Sequence, residues 1–199
     1  MYQQYLPLAN PALLRSAFDH PKFVYELKQD GFRSIAYIDH SGGLLISRKG
    51  HLYRGFAPLA RALGELGRPI VLDGEIVTVD AEGRSHFYDL LFHRGQPVFY
   101  AFDCLSLDGR DLRGEPLIKR KRILQGLVKA APDVLFAQHF AGCGQDLFSA
   151  VCERDLEGVV AKRADGAYGQ DWFKIRNPRY SQYEGRRELF EKRKALTRG

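Results

Sequence analysis

Residues 23–33 read Phe-Val-Tyr-Glu-Leu-Lys-Gln-Asp-Gly-Phe-Arg, and the rest of the chain is interpreted outward from this stretch. Apolar and polar residues alternate up to Lys28, which predicts a strand whose last side chain points away from its apolar face. The following Asp30 and Gly31 tolerate the positive φ of a tight turn, so they predict a hairpin whose second strand begins near Arg33. Taken alone, such a charged hairpin is well explained as a sheet edge that resists aggregation.

The composition is that of an ordinary globular protein. The 199 residues carry a formal net charge of +6, the sign that favours a polyanionic partner. Apolar runs stay below the roughly 18 residues that cross a bilayer, and the N-terminus lacks the pattern of a secretion signal. The three cysteines show no paired metal spacing and are expected to be reduced. We therefore expect a cytoplasmic protein, nucleoid-associated if prokaryotic, without membrane association.

Residues 69–79 form the clearest predicted strand, and alternation places Asp73 and Glu75 on the same face of it. Two carboxylates in an otherwise apolar strand need partners. An ion pair with a lysine or arginine across the sheet and a functional role explain them about equally well.

Residues 97–103 predict a further strand, and residues 118–129 predict a basic amphipathic helix. This helix carries four consecutive cations, from Lys119 to Arg122. We expect these cations to lie mostly in water, with nucleic-acid contact as the second explanation.

Residues 157–163 and 172–176 predict a second hairpin. Glu157 and Lys162 are five residues apart, so a regular strand would place them on opposite faces. If both face one site, the chain must bend near Gly158.

These segments, in this order, resemble the nucleotidyltransferase motifs of ATP-dependent DNA ligases. The matching stretches are Glu26-Leu27-Lys28-Gln29-Asp30-Gly31-Phe32-Arg33, Ser47-Arg48, Leu72-Asp73-Gly74-Glu75, Phe99-Tyr100-Ala101-Phe102-Asp103, Glu157-Gly158-Val159-Val160-Ala161-Lys162 and Trp172-Phe173-Lys174-Ile175-Arg176. Each stretch alone is a weak signal, whereas six in order make chance a poor explanation. Similarity to bacterial ligases of this kind also extends through Tyr180-Ser181-Gln182 and Glu188-Leu189-Phe190.

The resemblance implies an α+β, ATP-grasp-like fold, with two antiparallel sheets flanked by helices and the nucleotide pocket between them. On this basis we expect a lead-in without site residues over 1–22, the nucleotidyltransferase domain over 23–178 and a charged tail over 179–199. Most such ligases continue into an oligonucleotide-binding barrel, which the roughly 20 residues after the last motif are too few to build. We therefore expect a barrel on a separate chain, a truncated form or a minimal transferase.

The same resemblance implies the chemistry. Lys28 is the expected nucleophile, which attacks the α-phosphate of ATP, and the AMP is then passed to the 5′-phosphate of nicked double-stranded DNA for sealing in repair or recombination. The cofactors are ATP and Mg²⁺ or Mn²⁺, with Glu157 as the metal ligand. The implied ATP-binding residues are Glu26 at the adenine edge, Arg33 and Glu75 at the ribose, Phe102 on the adenine face, Arg48 at ribose or DNA phosphate, and Lys162 and Lys174 at the phosphates. Arg176, where lysine is more usual, is expected to contact DNA or phosphate.

Two alternatives remain open at this point. An RNA ligase or capping-type nucleotidyltransferase uses the same lysine chemistry. A nucleic-acid-binding accessory module would retain the pocket without sealing DNA. A separate barrel protein or repair protein is a possible partner in each case.

Overall fold

The computed structural model describes residues 6–129, 131–183 and 186, and it consists mainly of strands. The strands are β1 (Ala12–Leu14), β2 (Phe23–Leu27), β3 (Phe32–Asp39), β4 (Gly42–Ser47), β5 (Ile70–Thr78), β6 (Pro97–Leu107), β7 (Arg110–Asp111), β8 (Val134–Phe136), β9 (His139–Ala141), β10 (Gly158–Arg163) and β11 (Trp172–Arg176). The helices are α1 (Ala57–Gly64), α2 (Phe87–Leu91), α3 (Leu117–Val128) and α4 (Gly144–Glu153), with 3₁₀ turns at Arg54–Phe56 and Ser181–Tyr183. Within the described part of the chain, every helix is too short or too polar to cross a lipid bilayer.

The strands form two sheets. Sheet A has the order β1-β11-β10-β2-β9, and sheet B has the order β4-β3-β5-β6-β7 with β8 added to β6. The predicted α+β fold with two sheets and flanking helices is therefore confirmed. The sheets are not wholly antiparallel, because β1 runs parallel to β11 and β8 runs parallel to β6. In both pairs the two strands are separated by a long stretch of chain, which is what a parallel pairing requires.

The predicted hairpin at Asp30-Gly31 is wrong. Strand β2 pairs with β9 and β10, whereas β3 pairs with β4 and β5, so the two residues carry the chain from sheet A to sheet B. Glycine is required here by close packing, since a Cβ on Gly31 would lie 2.1 Å from the carbonyl oxygen of Ile76. The consequence is that Lys28 lies at the point where the chain changes sheets.

Each sheet has its own hydrophobic core. In sheet A, the alternation of β2 places Tyr25 in a core with Val151 of α4 and Ile175 of β11. In sheet B, residues of the central strands pack against α1 and α3, including Leu63 and Leu124, which are both fully buried. The opposite face of sheet B also carries a buried apolar cluster, which packs against the lead-in and Tyr168.

The described part of the predicted C-terminal tail is packed against the domain rather than extended from it. Tyr180 is 3% exposed, and Ser181–Tyr183 forms a 3₁₀ turn. The remainder of the predicted tail, including Glu188-Leu189-Phe190 and apart from Arg186, lies outside the described residues.

Candidate active site

A cavity of about 210 Å³ lies between the two sheets. The candidates from the sequence that line it are Glu26, Lys28, Arg33, Arg48, Glu75, Phe102, Lys162, Lys174 and Arg176. Glu157 joins this set through its contact with Lys28. The structure therefore brings all ten candidate residues together, although they come from seven strands and their ends.

Lys28 follows the last residue of β2 and faces Glu157. Its Nζ lies 2.6 Å from Oε2 of Glu157, and its backbone N–H donates to the carbonyl of Gly158 at 2.9 Å. Burial raises the pKa of Glu157, and the Lys28 ammonium opposes this rise. A nucleophile candidate and a carboxylate are thus in direct contact at the end of one strand.

The predicted bend is present at Gly158. This residue has a φ of 155°, and a Cβ there would lie 2.2 Å from the carbonyl oxygen of Ile175. Glu157 precedes β10, so the strand alternation that governs Lys162 does not apply to it. Both side chains can therefore face the same site.

Glu26 is buried between two ammonium groups. Its Oε1 accepts from Lys121 and its Oε2 from Lys162, both at 2.6 Å. Burial alone would raise the pKa of Glu26, but the two lysines outweigh it and hold the pKa below its ordinary value. Burial lowers the pKa of Lys162, which Glu26 opposes. Glu26 and Lys162 therefore act as one charged network.

The expectation that the cations of α3 lie in water is wrong for two of them. Arg120 and Lys121 are 0% and 1% exposed. Arg120 makes a bidentate ion pair with Asp103, at 2.7 and 2.8 Å. The sequence contained the signal, because position 121 lies on the same helical stripe as Leu117 and Leu124.

Arg33 is held by Asp73. The guanidinium makes two hydrogen bonds to this carboxylate, at 2.7 and 2.6 Å, and Tyr168 donates to the same group. The Arg33 side chain also lies over the ring of Phe102, 4.5 Å from its centroid. Asp73 therefore has the ion pair across the sheet that the sequence left as one of two explanations.

Glu75 lines the cavity from β5. Burial raises its pKa to about 8, which Lys28 and Arg33 partly oppose. A carboxyl group that is neutral near physiological pH can donate as well as accept a hydrogen bond. This suits a residue that faces hydroxyl groups.

The opposite side of the cavity is cationic. Burial lowers the pKa of Lys174, and the neighbouring charges of Arg176, Lys28 and Arg48 lower it further. Arg48 and Arg176 are exposed at the mouth. Several positive charges around one opening favour binding of a phosphate chain.

The lead-in contributes to the site, contrary to the expectation. Residues 8–11 line the cavity. The backbone N–H of Ala9 donates to the hydroxyl of Tyr168 at 3.1 Å. Strand β1 then joins the edge of sheet A. Residues 8–11 could not be identified from the sequence, since they carry no charge and show no regular spacing.

The donor set near Lys28 fits a divalent cation that is held largely by its substrate. Among the described residues, no cluster of three or more His, Cys, Asp or Glu side chains could hold a metal ion. Glu157 nevertheless offers carboxylate oxygens, and Mg²⁺ is commonly bound by one or two carboxylates together with nucleotide phosphates and water. Glu157 therefore remains the candidate ligand.

Comparison with known sequences gives one family. The sequence model described as "ATP dependent DNA ligase domain" matches residues 8–176. The multifunctional non-homologous end joining protein LigD of Pseudomonas aeruginosa is 35% identical over 168 residues, which are 78% of this chain and 20% of the relative. The chain thus spans about a fifth of the length of this relative.

Solved structures give the same result. The crystal structure of the ligase domain of Mycobacterium tuberculosis LigD has a TM-score of 0.72 and 31% identity, covering 85% of this chain and 59% of that one. A mycobacterial DNA ligase D complexed with ATP has a TM-score of 0.70 and 30% identity, covering 83% and 60%. The fold similarity therefore includes a protein solved with bound nucleotide.

Proposed function

Because this chain belongs to the family of ATP dependent DNA ligase domains, we propose that it is a DNA ligase catalytic domain that joins AMP to Lys28. It then transfers the AMP to the 5′-phosphate of nicked double-stranded DNA, so that the nick can be sealed in repair or recombination. The observation that carries this proposal is the convergence of Lys28, a buried carboxylate partner and a cationic opening on one cavity between the sheets.

The first step forms a bond between Nζ of Lys28 and the α-phosphorus of ATP and breaks the bond from that phosphorus to the bridging oxygen of pyrophosphate. The nitrogen must be neutral when it attacks. Glu157, whose Oε2 lies 2.6 Å from this nitrogen, would accept the proton. Lys162 and Lys174, which line the same cavity, would compensate the charge on the phosphate oxygens.

The other cavity residues bind the nucleoside. Glu26 and Phe102 would contact the base, because one offers a carboxylate and the other an aromatic face. Arg33 and Glu75 would contact the ribose hydroxyls. Mg²⁺ or Mn²⁺ would be held by Glu157 with the ATP phosphates, and such an ion supplies neutralisation of phosphate charge.

The DNA substrate is proposed from the family and from the charge at the cavity mouth. Arg48 and Arg176 are exposed there, where a 5′-phosphate would approach Lys28. An oligonucleotide-binding barrel or repair protein on a separate chain is a proposed partner in this step.

The first step is tested by incubating the protein with α-labelled ATP and Mg²⁺ and locating the label by mass spectrometry. We expect an AMP adduct on Lys28 in the wild type and none in Lys28→Ala. Lys119→Ala is the matched control, because Lys119 is an exposed lysine paired only with Glu115 among the described ion pairs. Absence of the adduct from the wild type, or equal labelling of Lys28→Ala, contradicts the proposal, and labelling by GTP in preference to ATP would favour a capping-type enzyme.

A further inference from the structure

Residues 180–183 follow β11 and connect the two halves of the domain, and they lie beyond the family match, which ends at residue 176. The side-chain amide of Gln182 donates to the carbonyl of Ser85 and accepts from the backbone N–H of Phe87, both at 3.0 Å. These two bonds fasten the segment to the connection between β5 and α2. The segment is therefore part of the folded domain.

Two tyrosines of this segment donate to carboxylates close to Lys28, namely Asp30 and Glu157. The hydroxyl of Tyr180 lies 2.9 Å from Oδ2 of Asp30, and the hydroxyl of Tyr183 lies 3.2 Å from Oε1 of Glu157. The two rings pack edge to face with centroids 5.0 Å apart. They therefore behave as one rigid unit with two donors.

The two oxygens of the Glu157 carboxylate have different partners. Oε2 accepts from Lys28 at 2.6 Å, while Oε1 accepts from Tyr183. The terminal torsion of a glutamate is broad, so a carboxylate with one partner can rotate. A second donor on the other oxygen removes that freedom. Tyr183 is not among the described residues that line the cavity, so it reaches the site through Glu157.

We propose that Tyr183 is a positioning residue, which holds one oxygen of Glu157 so that the other stays turned toward Lys28. Tyr180 supports this role by holding Asp30, which lies where the chain passes from sheet A to sheet B. The part of this proposal that concerns lysine adenylation rests on the proposed function. The part that concerns the Lys28–Glu157 contact stands on the geometry alone.

The test uses the full chain with Tyr183→Phe, which removes only the hydroxyl group. Ser181→Ala is the matched control, because it removes a hydroxyl of the same segment that donates to Asp155, which is not among the described residues lining the cavity. The nucleotide-free proteins are treated with trace acetic anhydride, and modification of Lys28 is measured by mass spectrometry relative to exposed Lys119. Modification requires the Lys28 nitrogen to leave its carboxylate, so we expect Tyr183→Phe to accelerate it about fivefold, the factor for one hydrogen bond of about 1 kcal/mol. Ser181→Ala should behave as the wild type.

The second measurement is the rate of AMP–lysine formation. Tyr183→Phe should lower this rate at saturating ATP by about fivefold, because the carboxylate that is proposed to accept the Lys28 proton loses the donor that holds it. Equal Lys28 modification in wild type and Tyr183→Phe overturns the positioning role, as does an equal change in Ser181→Ala, which would make the segment merely structural. A wild type that forms no adduct refutes the proposed function, and the modification rates then still decide the role of Tyr183.

Discussion

Replacement of Lys121 by methionine should destabilise the domain strongly although the residue stands in a run of four cations. Its ammonium donates to Oε1 of Glu26 at 2.6 Å and to the carbonyl of Ala137 at 2.9 Å. Methionine retains much of the volume but removes the charge and these bonds, together with a longer bond to the carbonyl of Phe102 at 3.4 Å. The change therefore isolates the electrostatic role of the side chain.

The expected loss of stability follows from the buried groups that lose a partner in Lys121→Met. Breaking a buried ion pair costs about 3 to 5 kcal/mol, and the lower end applies because Glu26 keeps its contact with Lys162. The carbonyl of Ala137 loses a buried donor, at about 1 to 3 kcal/mol. Against this, the variant no longer desolvates the Lys121 ammonium. We expect a net loss of about 2 to 3 kcal/mol.

The assay is urea unfolding at pH 7, followed by the fluorescence of Trp172, the single tryptophan. Its ring lies 4.3 Å from Nζ of Lys162 and reports on the same network. Lys119→Met is the matched control, since its pair with Glu115 is exposed and is worth less than about 1 kcal/mol. The pKa of Glu26 is depressed by folding, so its stabilisation is present above the unfolded value and is lost as pH falls. The deficit of Lys121→Met should therefore shrink in acid.

Equal unfolding free energies for Lys121→Met and Lys119→Met would refute this reasoning. A deficit that is the same at pH 7 and in acid would show that lost packing, and not the Glu26 network, is responsible.

Two further predictions concern the backbone and the cavity. Gly158→Ala should lower the free energy of unfolding by about 2 kcal/mol or more in thermal unfolding, because a φ of 155° and the carbonyl of Ile175 exclude a Cβ. Gly114→Ala is the control and should be close to neutral, because the space around Gly114 is open. Glu75→Gln should raise stability at pH 8 by about 1 to 2 kcal/mol but not at pH 4, as measured by urea unfolding. The reason is that the folded pKa of Glu75 is about 8, so between its unfolded value and pH 8 the unfolded chain is charged while the folded chain stays neutral, and stability falls as pH rises. A gain that does not depend on pH would contradict this.

Much of the site could be predicted from local patterns. Period-two alternation is set by the backbone of a single strand. It therefore correctly predicted that Tyr25 faces a hydrophobic core and that Glu26 lies on the other face of β2. The hairpin of β10 and β11 was predicted for the same reason, since its two strands are close in sequence. The bend at Gly158 followed from the requirement that Glu157 and Lys162 share one site.

Contacts between distant segments could not be predicted in this way. Lys121 was expected in water because four adjacent cations resemble a solvated face, and only its partner on β2, 95 residues away, explains its burial. The lead-in was expected to lack site residues, yet residues 8–11 form a wall of the cavity. Tyr183 gave no signal, because its function depends on Glu157, which is 26 residues away in the chain.

The sequence by itself determined which residues are candidates for the chemistry, through the order of their motifs. It also determined the face on which an alternating strand residue such as Glu26 lies, because alternation depends only on the local repeat of the backbone. Only the tertiary structure decided that Asp30 and Gly31 lead from one sheet to the other instead of forming a hairpin. Which strands pair depends on segments that are far apart in the chain. Gly31 packs against β5, and this contact cannot be read from the turn propensity of Asp30 and Gly31.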